Sequence, residues 1–223
     1  MSKLVSVIIP VKNGSNYIRE ALDSIVSQGM DIEIIVVDDA STDDTARIAG
    51  EYGCKVLSHL VTKGPVAGKN SGLAVAGGEY VIFLDHDDKM RPGALSALYE
   101  ALDSDPDAAA VEAKVKDFIS FDAGPMPGIL IREEPYHGLF TGAILIRRSV
   151  FDKIGPFCEN VYSGEIMEWF SKMERNHLNV KKIDLVSTDR RIHRTNFGQT
   201  NKATEMRDYA TTLRNILKQK KQV

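Results

Sequence analysis

The sequence predicts an α/β domain, a Rossmann-like and mostly parallel central sheet flanked by helices. Three observations predict it. The first hundred residues alternate between short β-branched runs and segments with apolar residues at helical spacing. Two of the runs, residues 34–37 and 80–84, are continuously apolar, as strands buried on both faces are. Polar clusters follow the runs: Lys12-Asn13-Gly14, Asp38-Asp39, and Asp85 to Asp88. Right-handed crossovers place such strand ends on one edge, where open α/β sheets bind ligands.

Each element has its own local reason. Residues 4–9 are a β-branched first strand. A helix follows over residues 15–28, where Ile18, Ala21, Leu22, Ile25 and Val26 share one face and Ser15 and Asn16 are natural N-caps. Residues 32–37 form the second strand. Ser41 and Asp44 have capping-box-like spacing before a helix that reaches about Tyr52. Residues 55–58 are a short strand. Pro65 suits the first turn of a helix over 65–76, which Gly77-Gly78 ends. Residues 80–84 are the fourth strand, and Pro92 opens a helix carrying Leu95, Leu98 and Leu102.

The second half is less regular. Strands are expected over residues 108–115, 139–146 and 180–186, and helices over 150–154 and 165–175. Residues 118–135 hold Gly124, Pro125, Pro127 and Gly128 and form a long loop. Residues 189–198 are a polar segment, and an amphipathic helix closes the chain over 203–218. No repeat or linker divides it, so a single domain over residues 1–223 is expected.

Hydrophobic residues at 43% and charged residues at 26% exclude a disordered or collagenous chain. No apolar run approaches the ~18 residues that span a bilayer. The apolar start is short, ends at Lys12 and Asn13 and lacks a small-residue cleavage site, so it is a buried strand and not a leader. Cys54 and Cys158, far apart, make no disulfide framework and suggest a reducing, cytoplasmic setting. Net charge is −3 but unevenly spread. Residues 171–223 carry 13 Lys and Arg against 5 Asp and Glu, and the other 170 carry 15 against 26. The acidic body excludes broad nucleic-acid binding. The basic C-terminal helix suits a peripheral contact with an acidic membrane face, or simply a solvated surface.

Two acidic clusters carry the chemistry. Asp85-His86-Asp87-Asp88 puts three carboxylates in four residues at a strand end. Like charges so close call for a cation, and hard oxygen ligands suit Mg²⁺ or Mn²⁺, above all when phosphates complete the shell. The competing reading is a solvated turn that caps the next helix. In Asp38-Asp39-Ala40-Ser41-Thr42-Asp43-Asp44, an EF-hand register from Asp39 puts Asp44 where glycine is needed and Gly50 where glutamate is needed, so it fails. The later residues there cap a helix, leaving Asp38 and Asp39 to accept hydrogen bonds from a base or ribose. No G-x-G-x-x-G follows the first strand and no Walker lysine motif occurs, which disfavours dehydrogenases and P-loop enzymes.

These stretches resemble family 2 glycosyltransferases of the GT-A fold. The resemblance rests on residues 5–14 (VSVIIPVKNG), 33–43 (EIIVVDDASTD), 68–73 (GKNSGL) with 78–88 (GEYVIFLDHDD), and 151–157 (FDKIGPF). It implies a nucleotide-sugar-binding half over residues 1–105 and a smaller acceptor-side half over 106–223. It implies that Asp39 hydrogen-bonds the base, most often uracil, and that Pro10, Val11 and Asn13 line the nucleoside pocket. Lys69 stands where many members carry arginine near the base or phosphate. Asp85-His86-Asp87 is the D-x-D motif beside the donor, with Asp87 a direct ligand of Mn²⁺ or Mg²⁺ and Asp85 touching ribose or metal-bound water. Arg191 and His193, in an R-x-H segment, are expected at the diphosphate and in the metal shell.

The acceptor half departs from the family pattern, since Ile166 stands at the usual Asp of a G-E-D-like helix start. Glu165 is then the expected general base and Glu168 the weaker candidate; Trp169 either stacks on a sugar or lies in the core. Residues 118–135 are expected to be a lid or acceptor wall. The expected activity is inverting, metal-dependent transfer from a nucleotide-diphosphate sugar, a UDP-sugar first, to a hydroxyl of a glycan, lipid-linked, peptide or small-molecule acceptor. Two alternatives stand beside it. One is a non-catalytic nucleotide-sugar-binding or partner protein, suggested by Ile166. The other is a sugar nucleotidyltransferase, which should carry a glycine-rich G-x-G-x-R loop that this chain lacks.

Overall fold

A computed structural model describes residues 4–124, 131–160, 164–194, 196 and 202–220. Strands β1 (Val5–Val11), β2 (Ile32–Asp38), β3 (Lys55–Ser58) and β4 (Tyr80–Phe83) alternate with helices α1 (Ile18–Val26), α2 (Thr45–Glu51) and α3 (Pro65–Val75). Then come β5 (Lys89–Met90), α4 (Ala94–Asp103), β6 (Ala108–Ile119), a 3-10 turn (Thr141–Ala143) and β7 (Ile144–Arg147). Helices α5 (Ser149–Ile154) and α6 (Glu165–Arg175), strand β8 (Asn179–Ile192) and helix α7 (Lys202–Lys220) complete the chain.

One eight-stranded sheet runs in the order β3-β2-β1-β4-β7-β6-β8-β5. The β3-β2-β1-β4 half is parallel throughout. Strand β7 enters antiparallel between β4 and β6, while β6 and β8 pair in parallel. All seven residues of β1 are buried, because helices cover both faces of this central strand. One face is filled by Leu22, Ile25, Leu95, Leu98 and Leu102 from α1 and α4. The other packs Val66, Phe151, Phe157, Ile166, Trp169 and Met173 from α3 and the α5–α6 region.

Helix α3 lies unusually close to β1. A Cβ at Gly72 would sit 2.4 Å from Ile8 Cγ2, and one at Gly68 would sit 2.9 Å from the Cβ of Pro10. The two glycines let the helix axis approach the sheet, and this fixes the height of Lys69 between them.

The irregular half differs most from the expectations. Strand β6 continues to Ile119 and β8 to Ile192, through segments that composition marks as loop and polar. Their ladder runs from Ala108↔Asn179 to Ile119↔Ile192 with register shifts between. Pairing along that length outweighs the weak β-propensity of Asp189, Arg190 and Arg191. Strand β5 is an unexpected two-residue pairing with β8. Residues 125–130 of the long predicted loop lie outside the described residues.

Helix starts also shift. Helix α1 begins at Ile18, and the Ser15 amide ahead of it donates to Asp43 Oδ2 at 3.0 Å. Asp43 also accepts from the Thr45 amide at 3.1 Å, so it serves the start of α2 in place of the Ser41–Asp44 box. Burial pushes its carboxyl up, but these hydrogen bonds prevail and pull it down to about 2.

Candidate active site

The strand ends of the parallel half, with α3, α6 and β8, gather the expected residues at one edge. Asp39 follows β2 and is buried. Its Oδ1 accepts from the Lys63 amide at 2.8 Å and lies 2.7 Å from His59 Nδ1, and its Oδ2 accepts from the Gly64 amide at 2.8 Å. Burial pushes the carboxyl up, but these partners outweigh it and hold Asp39 below the usual range. A carboxylate offers about four acceptor positions. Three are used here, so one remains for a ligand N–H. His59 also lies 3.0 Å from Ser71 Oγ and is a residue of the site that the sequence analysis does not single out. The signal was available: His59 directly follows β3, at the same edge as the other polar clusters.

Pro10 and Val11 lie on buried β1 beside this site. Asn13, at φ 52°, is in the left-handed region, where a short polar side chain is tolerated. Its Oδ1 accepts from the Thr42 amide at 2.8 Å and its own amide donates to Ser41 Oγ at 2.8 Å, tying the β1 and β2 loops together. Gly14 lets the loop pass His86, since a Cβ there would sit 2.5 Å from the ring.

Lys69 and Glu165 are brought together from α3 and α6. Lys69 Nζ donates to Glu165 Oε1 at 2.6 Å, and both side chains are only 8% exposed. Burial disfavours the Lys69 ammonium, yet Glu165 and Asp85 outweigh this and raise its pKa. Glu165 is the first residue of α6, after Gly164 at φ 84°. Tyr209 of α7 packs where a Gly164 side chain would be, 2.8 Å from its Cβ position. Glu168 faces Lys172 at 3.2 Å instead. Trp169 is fully buried, stacked on Phe151 at 4.8 Å, and donates to the Gly155 carbonyl at 3.2 Å, so it belongs to the core.

The D-x-D carboxylates divide by environment. Asp85 keeps more than a third of its surface open to solvent. The dense protein around it still pushes its carboxyl upward, helped by Asp87 and Glu165 and opposed by Lys69 and His86. Asp87 is buried, which pushes upward, but His86 and His193 draw it below the usual range. Its Oδ2 lies 2.8 Å from His193 Nε2 and accepts from Asn196 Nδ2 at 3.1 Å. Asp88 is buried and driven well above the usual range, with Asp87 and Asp85 adding to the effect of burial. It accepts the Arg191 amide at 2.8 Å and is held toward its neutral form.

Arg191 takes a different place from the expected phosphate contact. It is 2% exposed. Its guanidinium donates to the Asp87 carbonyl at 2.8 Å, to Glu20 at 2.9 Å and to Ser120 Oγ at 3.3 Å. It lies between the rings of Tyr17 and Phe118, at 4.9 and 4.7 Å. The charge that the resemblance places at the diphosphate braces the D-x-D turn against β8.

Among the described residues no three His, Cys, Asp or Glu side chains converge as a ready-made metal cage. The residues present do fit Mg²⁺ or Mn²⁺ bound in the usual sparse way, by one or two carboxylates with substrate phosphates and water. Asp87 is held in its charged form, and His193 adjoins it.

With this geometry in view, the comparisons are specific. The model of glycosyl transferase family 2 matches residues 6–158. The poly(ribitol-phosphate) beta-glucosyltransferase of Bacillus spizizenii is 40% identical over 104 residues, 43% of this chain and 16% of that protein. The pre-mycofactocin glycosyltransferase of Mycobacterium tuberculosis is 29% identical over 208 residues, 84% of this chain and 43% of that protein. The crystal structure of S. aureus TarS 1-349 with UDP-GlcNAc superposes with a TM-score of 0.74 at 23% identity, over 95% of this chain and 65% of that one. The chain thus spans less than half the length of these curated relatives. Among the described residues no helix is long and apolar enough to cross a membrane.

Proposed function

The chain belongs to glycosyl transferase family 2, and from that premise we propose that it is an inverting glycosyltransferase moving a sugar from a nucleotide diphosphate to an acceptor hydroxyl. One observation carries the reading. A buried carboxylate held by His59 and two backbone amides (Asp39), an ion-paired carboxylate at a helix start (Glu165) and a D-x-D turn meet at one sheet edge, though they come from residues 39 to 165 of the sequence.

In this proposal Asp39 accepts a base N–H at its remaining acceptor position, and the β1 residues Pro10 and Val11 with Asn13 wall the nucleoside. His59 and the Lys63 and Gly64 amides hold the carboxylate ionised and oriented. The donor is a UDP-sugar; the UDP-GlcNAc held by the solved neighbour supports that choice. Asp87, with Asp85 and His193, would hold Mg²⁺ or Mn²⁺, which when bound neutralises charge on the leaving diphosphate. His86 lies beside the donor phosphates. Arg191 acts through the D-x-D turn and not on phosphate.

Glu165 accepts the proton of the attacking hydroxyl as its oxygen forms the new bond to the anomeric carbon and the nucleotide diphosphate departs. Lys69 holds one oxygen of that carboxylate by its hydrogen bond, and the start of α6 adds a favourable dipole. Residues 1–105 then form the donor half and 106–223 the acceptor half of one catalytic domain. The basic helix α7, which exposes Met206, Leu213 and Leu217 beside Arg207, Arg214 and Lys218, supplies a peripheral membrane contact. The test is calorimetric titration of UDP, GDP and dTDP in Mn²⁺ and in EDTA. UDP should bind best and only with metal; equal binding of all three would overturn the donor assignment, and undiminished binding in EDTA the metal role.

A further inference from the structure

Beside the D-x-D turn lies a pocket of about 430 Å³ lined by Asp117, Arg132, Tyr136, His137, Phe140 and Arg190, among others. Asp117 of β6 and Arg190 of β8 are register partners. They face the opposite side of the sheet from Phe118 and Arg191, as strand alternation requires. The pocket adjoins the site in two ways. Arg190 precedes Arg191, whose amide binds Asp88. Phe140 precedes the 3-10 turn, where a Gly142 Cβ would sit 3.1 Å from Leu84, the residue before Asp85.

The pocket's one carboxylate in this group is already engaged. Asp117 is buried, its Oδ1 accepts from Tyr136 Oη at 2.8 Å, and its Oδ2 accepts the Arg132 amide at 3.2 Å. Arg190 stands 3.6 Å from the same carboxylate. Among these lining residues two guanidiniums stand against one carboxylate, which Arg132 reaches only through its backbone amide, so positive charge is in surplus.

The aromatic faces decide what kind of ligand fits. Arg132 lies 4.1 Å from the Tyr136 ring centroid and Arg190 lies 4.9 Å from that of Phe140. The two rings meet edge to face at 5.8 Å. A neutral sugar needs a bare ring face to stack on, and here a guanidinium covers one face of each ring. Stacking leaves the guanidinium edges free to point at a planar or tetrahedral oxyanion.

We propose that this pocket binds an oxyanion, a phosphate or carboxylate, carried by the acceptor a few bonds from its attacking hydroxyl. The proposal rests on the glycosyltransferase reading and narrows its acceptor to an anionic one.

The test holds the chain saturated with UDP and Mn²⁺, so that the diphosphate position is filled. Glycerol 1-phosphate, inorganic phosphate and glycerol are then titrated by calorimetry, with a protein-free Mn²⁺ blank subtracted. Both phosphates should bind and glycerol should not. Arg132→Gln and Arg190→Gln should each weaken phosphate binding at least tenfold, with UDP affinity changed less than twofold. Arg132 is exposed, so its variant is expected to fold even where the Arg190 variant does not. Phosphatidylglycerol vesicles separate the sources. Vesicle binding that Arg132→Gln abolishes puts the oxyanion on a lipid headgroup; vesicle binding indifferent to Arg132, with glycerol 1-phosphate still bound, puts it on a soluble acceptor. Unchanged phosphate affinity in both variants, or glycerol binding as tightly as its phosphate, overturns the proposal. Failure of UDP to bind would strike the donor reading instead, and the same Arg132 comparison without UDP would still decide the pocket.

Discussion

The half proposed to bind the donor, residues 1–105, and the half proposed to bind the acceptor, residues 106–223, are built by different rules. In the half spanning residues 1–105 most candidate residues lie on a short parallel strand or within a few residues of its end, Lys69 on α3 being the exception, and Asp39 and Asn13 find their partners in loops at the same edge. Asp39 follows β2, His59 follows β3, and Asp85 stands two residues beyond β4. In the acceptor half the candidate residues depend on partners far away in sequence. Glu165 pairs with Lys69, and Arg191 braces Asp87 and Glu20. The first arrangement tolerates local change; the second transmits it, because a shift of α6 or of the β6–β8 register moves several groups together.

This contrast can be tested by substitution, and the acceptor half should give the largest effect. Glu165→Gln should lower single-turnover rate about 100-fold or more while donor affinity barely changes, since a general base acts in the chemical step. Near-normal turnover would move the base elsewhere, and loss of UDP binding would return Glu165 to the donor side of the comparison. Asp87→Asn removes the charge that His86 and His193 stabilise. It should weaken metal-dependent UDP binding by roughly 10- to 100-fold, the scale of disturbed metal-site contacts, with the melting curve showing that the fold survives.

Asp39→Asn should cost about 1.5 kcal/mol of UDP binding, roughly tenfold, because one charge-assisted bond weakens while the loop keeps its shape. Calorimetry against UDP, GDP and dTDP would show the loss falling on UDP alone. The smallest effect should come from Asp43, which only fastens the two donor-side loops. Asp43→Asn should destabilise the chain by about 1 kcal/mol or less at neutral pH, the worth of an exposed helix-start cap. The folded-state value of Asp43, about 2, is below the ordinary 3.8. Its contribution is therefore complete above about pH 4 and lost as pH falls toward 2. Denaturant titrations of both forms should converge there.

The alternation of strand and helix, the order of the polar clusters and the parallel donor half were legible in the sequence. They follow from periodicity, Pro65 and the Gly77-Gly78 stop, all of which act over a few residues. His59 was legible by the same rule, since it directly follows β3, but it stands there alone and not in a polar cluster. The fate of Trp169 was open in sequence; its neighbours Phe151 and Phe157 closed the question by enclosing it.

The local chemistry of this chain, then, was written in its sequence. A buried apolar run, a capped turn and a carboxylate cluster each depend on side chains a few positions apart. Tertiary structure alone decided that Lys69 meets Glu165 across 96 positions, and that Arg191 turns inward to the D-x-D backbone. It alone carried β6 and β8 through polar residues and stacked Arg132 and Arg190 on aromatic rings. The physical reason is one of range. Propensity and capping are nearest-neighbour effects, whereas burying a charge depends on which distant partner the packed core delivers to it.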